Sequence, residues 1–429
     1  MTRVAILVVL AAGLAAPAPA FGQWSTPDSL TGDVGAVFRP QAMTTGRGDR
    51  VVGYGESGRF AWSWAPRAGA TWFQRTTTTT DVAARLLTYA STRVLLVSRT
   101  SGRLPWEVRA RFGSVDEGVG KVRRLAPGQD VLSYAPAVDG DGDAVVAYVR
   151  NVRDGAVIRK RVVNVVRRPA GGSFGAPETI AGSGSPTAVG AAVGRRGEIV
   201  VAYERAGRLL VRRRESGRSW QPAQNLGPAV KGHTQIDIAA AEDGAFALAW
   251  QAQDLSEGGS NGTFAVRLAV RDTGGHNFHT ARTFETYSQR APQEAAVRVA
   301  LAADGSGVMG WTGRQDGHFV VRIADVHENT GHTVSDPASD AVLGDVSVSE
   351  GGDGVAVWAP PLDTASPQVF AATRSREGAF GPPEAVSPAY REIASPTVAT
   401  DRDGHPFAAW VARTGARTQG VFASFRGGS

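Results

Sequence analysis

Seven times along this chain a glycine is followed, six positions later, by a tryptophan or tyrosine that closes a short apolar run. The pairs are Gly48/Tyr54, Gly142/Tyr148, Gly197/Tyr203, Gly244/Trp250, Gly305/Trp311, Gly352/Trp358 and Gly404/Trp410. Self-similarity at a period of roughly fifty residues marks a repeat architecture. Any fold for the chain must therefore give equivalent surroundings to seven turns and seven rings. Residues 186–226 form the clearest unit, with strands expected at 186–193, 199–203, 209–214 and 220–226. Glycine-bearing breaks separate these strands, because tight hairpins demand positive φ. Third strands alternate with period two, as in Phe264, Val266, Leu268 and Val270. Beyond the N-terminal segment no long window carries helical spacing. The chain reads as all-β.

Tyr54 and Tyr148 lie 94 positions apart, about twice the usual step. Between them, residues 94–97 make a second strand, Ser98 stands where the ring belongs, and 106–112 make a third strand. Counting this diverged copy gives eight repeats, while the uneven steps keep seven open. A second recurrence runs glycine, aromatic, proline, aliphatic, as in Gly217/Trp220/Pro222/Leu226 and Gly378/Phe380/Pro383/Val386. It appears once more near the start, as Gly22/Trp24/Pro27/Leu30, whereas the last repeat stops after its third strand at 421–425. Residues 24–30 then supply the missing strand. The expectation is a β-propeller of about eight four-stranded antiparallel blades, closed by the N-terminal strand pairing into the last blade, which hides both sheet edges.

Residues 1–20 have the form of a signal peptide: Arg3, an apolar stretch at 4–16 too short to span a bilayer, and Ala18-Pro19-Ala20 as a small-residue cleavage site. Cleavage after 20 fits best and after 22 second, leaving residues 23–429 as a single propeller domain that is exported. With no cysteine there is no disulfide framework, thiolate metal site or lipid-acceptor cysteine. No second apolar stretch has spanning length, so the mature chain is expected to have no membrane span and to be a monomer. The net charge of +6 is mild for this length. Two basic clusters stand out, Arg159, Lys160, Arg161, Arg167, Arg168 and Arg208, Arg212, Arg213, Arg214, Arg218. Polyanion or membrane-surface binding is one reading of them. Solvated outer-strand edges that discourage aggregation are the preferred one. No nucleic-acid partner is expected.

The segment Glu215-Ser-Gly217-Arg-Ser219-Trp220 resembles the Asp-box repeat of sialidase-like propellers, Ser-x-Asp-x-Gly-x-Thr-Trp, with Glu for Asp and Arg213 for the Ser. Gly69-Ala-Thr71-Trp72 keeps its right half. In that superfamily the box is a structural turn remote from the active site, so the resemblance implies architecture. Its sialidases also carry Phe-Arg-Ile-Pro, whose arginine belongs to a carboxylate-binding triad. Phe38-Arg39-Pro40 is similar without the Ile, although Pro40 fills the same slot as Pro136, Pro186 and Pro396. No second and third triad arginine and no Tyr/Glu nucleophile pair is matched.

Other motifs point to turns and packing. Asp139, Asp141 and Asp143 alternate with glycines, but Arg150 stands where an EF-hand needs its Glu. His327-Glu328 with His332 has the wrong spacing for a helical zinc motif, and Gly331 interrupts it. Trp250, Trp311, Trp358 and Trp410 suit sugar stacking in principle, yet their fixed place at a strand end favours packing between sheets. Catalytic residues, metal ligands and cofactors are assigned to none of these motifs.

In a propeller the links from second to third strand and from blade to blade open on one face. Length variation concentrates there, at 254–262, 360–367, 285–294 and 387–395. Loops on a rigid scaffold carry function, so Tyr287, Arg290, Asp363, Tyr390, Arg391 and Glu392 are the candidate ligand-binding residues. The expectation is an exported, non-catalytic binding or scaffold protein that takes a carbohydrate, peptide or protein on that face. The alternative is a sialidase-like glycoside hydrolase or a degenerate relative of one. The alternative requires at least two carboxylates and an arginine cluster converging in one deep pocket, the carboxylates roughly 5 to 10 Å apart.

Overall fold

The structure is a computed structural model that describes residues 23–427 apart from 33–36, 57, 68–70, 78–82, 101–104, 183, 230–233, 255–262, 288–295 and 417. The segment read as a signal peptide lies outside the described residues. Eight separate antiparallel sheets follow one another around a ring, so the count is eight blades. Their innermost strands are Val37–Thr44, Ala83–Tyr89, Asp130–Val138, Val189–Gly194, Thr234–Ala240, Val297–Leu301, Val342–Val348 and Ile393–Thr400. We number the blades 1 to 8 in that order. The described part of 82–112 does form a sheet of its own, blade 2, although its third strand is Val108–Ser114 rather than 106–112.

Closure is as the repeat arithmetic requires. Asp28–Ser29 pairs with Gln419–Phe425 as the outermost strand of blade 8. The Ser25 N–H donates to Phe425 O and the Leu30 N–H to Val421 O, both at 2.8 Å, and Trp24 bridges to Arg426. The Thr31 hydroxyl accepts the Val421 N–H at 3.0 Å. Both ends of the described chain are thereby consumed in one sheet.

The repeated glycine and ring each have a single job. All seven glycines adopt positive φ, between 70° and 97°, at the turn from first to second strand, where a Cβ is strained. All seven rings are at most 3% exposed. Each lies in a different apolar cluster between sheets, which settles them as packing residues rather than a sugar platform. In blade 2, Ser98 holds the ring position and is buried, facing Ala84 and Arg109 across the sheet. The Asp-box-like segment is a tight turn: the Arg218 N–H donates to Glu215 O and the Gln221 N–H to Arg213 O. Trp220 packs on the blade 3–blade 4 core just before the fourth strand, which begins at Gln224 rather than at 220.

Candidate functional site: a polar layer around the channel

The register places one residue per blade in a single layer of the innermost strands. Gln41, Arg85, Ala135, Gly190, Asp237, Arg298, Asp345 and Thr397 each pair across the sheet with the residue immediately before the ring position. Each therefore stands thirteen positions upstream of that ring or of Ser98. Because these positions are equivalent, their side chains all lean toward the next blade. The packing shows it even where no polar group exists: a Cβ on Gly190 would meet Ile236 of blade 5 at 2.7 Å.

Read blade by blade, the layer is a circuit. Asp237 Oδ2 accepts the Val299 N–H of blade 6 at 2.9 Å. Arg298 Nε lies 3.7 Å from Asp345 Oδ1 of blade 7. Asp345 Oδ2 accepts the Thr397 hydroxyl of blade 8 at 2.7 Å and the Val398 N–H at 3.4 Å. Thr397 Oγ1 in turn accepts the Ala42 N–H of blade 1 at 3.3 Å. Gln41 accepts the Leu86 N–H of blade 2 at 3.0 Å and donates to Ala84 O at 2.8 Å, gripping the backbone on either side of Arg85. The circuit ends there. Arg85 leans toward blade 3, where the layer offers only Ala135, and among the described residues it has no ion pair to a carboxylate.

Charge in the channel is correspondingly uneven. The Arg85 side chain is reached by solvent but is walled by neighbouring strands, and this burial pushes its pKa down. The Tyr134 hydroxyl and Asp237 oppose that shift, whereas the charges of Arg298 and Arg39 add to it. Burial pushes the Asp345 carboxyl up, against the pull of Arg298 and Thr397, and the charge of Asp237 adds to the rise. Arg39 lies two residues before Gln41, closer to the loop-bearing face, exposed and with φ of 42° in a bulge between Phe38 and Gln41. A non-glycine residue held there is strained, a feature that concentrates at ligand sites. Three guanidiniums and two carboxylates from five blades thus share the channel.

The six candidates from the loops fall elsewhere. Tyr287 stacks on Phe264 with centroids 5.2 Å apart. Its hydroxyl accepts from Gln251 Nε2 at 3.3 Å and donates to Thr312 O at 3.4 Å, binding blade 5 to blade 6. Burial raises its phenol pKa. Tyr390 packs against Phe422 at 5.2 Å, and its N–H donates to Pro367 O at 3.0 Å, which joins its link to the loop that carries Asp363. The Glu392 carboxylate pairs with Arg413, whose N–H also donates to Glu392 O at 3.0 Å. Asp363 and Arg391 are exposed on the same side, and Arg290 lies outside the described residues. Asp363, Tyr390, Arg391 and Glu392 therefore cluster around blades 7 and 8, and Tyr287 stands apart at blades 5 and 6. Among the described residues no hydrogen bond or ion pair links either group to the channel arginines. Sequence reasoning missed Arg85, Asp237, Arg298 and Asp345. The signal was their shared offset from the ring positions, which becomes meaningful only once the strands are in register.

The fold and this layer define an eight-bladed β-propeller with a charged central channel. No family model matches the chain, and no curated protein matches it. Among solved structures it is similar to an ulvan lyase of a new polysaccharide lyase family, at 13% identity and a TM-score of 0.44, covering 69% of this chain and 80% of that one. It is also similar to a puromycin hydrolase, at 17% identity and a TM-score of 0.46, covering 92% of this chain and 61% of the other. The Hadza microbial sialidase Hz136 shares 14% identity at a TM-score of 0.34, covering 76% and 74%.

Proposed function

We propose that the protein is an exported binding propeller that takes an acidic ligand at the channel mouth on its loop-bearing face. The observation that carries this reading is the open end of the polar circuit at Arg85. A guanidinium offers a planar fork of donors suited to a carboxylate or sulfate. Arg85 has one with no carboxylate partner among the described residues, only the Tyr134 hydroxyl of blade 3 acting on it, and Arg39 stands nearby at the mouth. The two carboxylates of the layer are engaged by backbone N–H groups, a hydroxyl and Arg298, which leaves the opening net positive. The test is a panel of oligosaccharides and peptides with and without acid groups, titrated against the mature chain and its Arg85→Met variant. Acid-bearing members bind and neutral analogues do not, and Arg85→Met weakens binding by about tenfold or more, as loss of a charge-assisted pair requires. Equal affinity for neutral analogues would refute the reading.

One observation favours a second reading, glycoside hydrolysis: burial, with the charge of Asp237 adding to it, raises the Asp345 carboxyl, and a carboxyl raised in this way suits a general acid. Release of reducing ends from an acidic polysaccharide, abolished by Asp345→Asn with binding retained, would establish it.

A further inference from the structure

The second and third strands of blade 3, Ala144–Asp154 and Val157–Arg168, overhang the loop-bearing face. The second strand runs six residues past Tyr148, whereas the described second strands of the other blades end one to four residues past the same position. At about 3.3 Å per residue the tip stands roughly 7 Å beyond the next longest. At its apex Val157 and Ile158 are 56% and 42% exposed, the one adjacent pair of exposed large aliphatics among the described residues.

Beneath them lies a basic collar. Arg153 pairs with the buried Asp130 at 2.7 Å and donates to Ala156 O at 3.1 Å, which fixes the turn from below. Arg161 donates to Asn151 at 3.1 Å, and Asn151 donates to the same Asp130 at 2.9 Å. A bulge opposite Val152 and Arg153 leaves Arg159 out of the ladder, pairing with Asp154 at 2.8 Å. Lys160 is exposed beside it. Four cations against two carboxylates leave an excess of two positive charges around an aliphatic tip that is held rigid.

We propose that this hairpin docks the protein on an anionic phospholipid surface, with Val157 and Ile158 entering the headgroup boundary and the collar facing lipid phosphates. An aliphatic pair inside a basic ring matches a bilayer surface on both counts, whereas an acidic polysaccharide would use the collar and leave the apex in water. Docking here also turns the channel mouth toward the membrane. The inference is independent of the channel reading.

Co-sedimentation of the mature chain with phosphatidylglycerol-containing vesicles, with phosphatidylcholine vesicles as control, tests it. Binding is expected to the anionic vesicles, falling about tenfold in Val157→Ser/Ile158→Ser and in Lys160→Glu, with thermal unfolding unchanged because all three positions are exposed. An Ile158→Trp variant should show a blue-shifted emission only with anionic vesicles. Failure to bind anionic vesicles, equal binding by the serine variant, or capture by an acidic polysaccharide with vesicles left unbound would each overturn the proposal.

Discussion

Arg271, at the end of the third strand of blade 5 and 2% exposed, places Nη2 2.8 Å from Glu198 Oε2 of blade 4. The same Nη2 donates to the carbonyl of Gly244, the repeated turn glycine of its own blade, at 2.9 Å, and the guanidinium lies over Phe246. Arg168 repeats part of this grip in blade 3, donating to Gly142 O and covering Phe112. The turn glycine is thus an acceptor for an arginine as well as a hinge. These arginines belong to the basic clusters and blade ends, and they are spent on structure.

Glu198 also receives Arg213 Nη1 at 3.1 Å. Glu198→Ala therefore leaves the buried Arg271 guanidinium with carbonyl acceptors but no carboxylate, and Arg213 with Glu215 alone, and we expect a loss of about 3–5 kcal/mol in denaturant unfolding. An effect below about 1 kcal/mol would mean that water replaces the carboxylate freely.

Trp410 fills the boundary between blades 7 and 8 with no exposed surface. Trp410→Ala should cost about 3–5 kcal/mol, measured in the same way. Arg391→Ala, on the exposed link nearby, should stay within about 0.5 kcal/mol.

Removing residues 23–31 takes away the outer strand of blade 8, the burial of Leu30 and the Thr31 acceptor for Val421. A loss of at least about 3 kcal/mol is expected, with aggregation through the newly open edge. Light scattering on heating separates that variant from the parent.

The raised Asp345 carboxyl gives a pH signature. Its folded pKa lies above the ordinary value near 4, so between the two pKa values the native state holds more protons than the unfolded state. Stability from this group is then highest at low pH and falls as pH rises through the folded pKa. Asp345→Asn keeps an acceptor for Val398 and removes the titration. The variant should gain on the parent as pH rises from about 4 to 7 in urea midpoints. A gap that moves the other way would show that Thr397 and Arg298 outweigh burial.

Much of the fold was readable in the residues because turn glycines and interface rings are local demands repeated seven times. Trp24 and Leu30 betrayed the closure, since a fourth-strand pattern stood before any complete blade. Strand starts were less legible: Trp220 looks like a strand residue, but its ring is held by the turn and the neighbouring core. The loop candidates rested on length, and Tyr287 and Glu392 turn out to be anchored to neighbouring strands. Arg85 and Asp345 were invisible for a different reason. Each is an ordinary charged residue in its own strand, and its meaning comes from what the adjacent blade does or does not offer.

The meeting of Trp24 with Arg426 has a topological consequence. Because both ends of the described chain lie in one sheet, the ring has no structurally privileged starting point. A permuted chain joined across this seam and opened at a blade-to-blade link would draw all the strands of every blade from consecutive sequence. In the present connectivity blade 8 alone is assembled from two distant segments, so no polypeptide lacking either end contains all eight complete sheets.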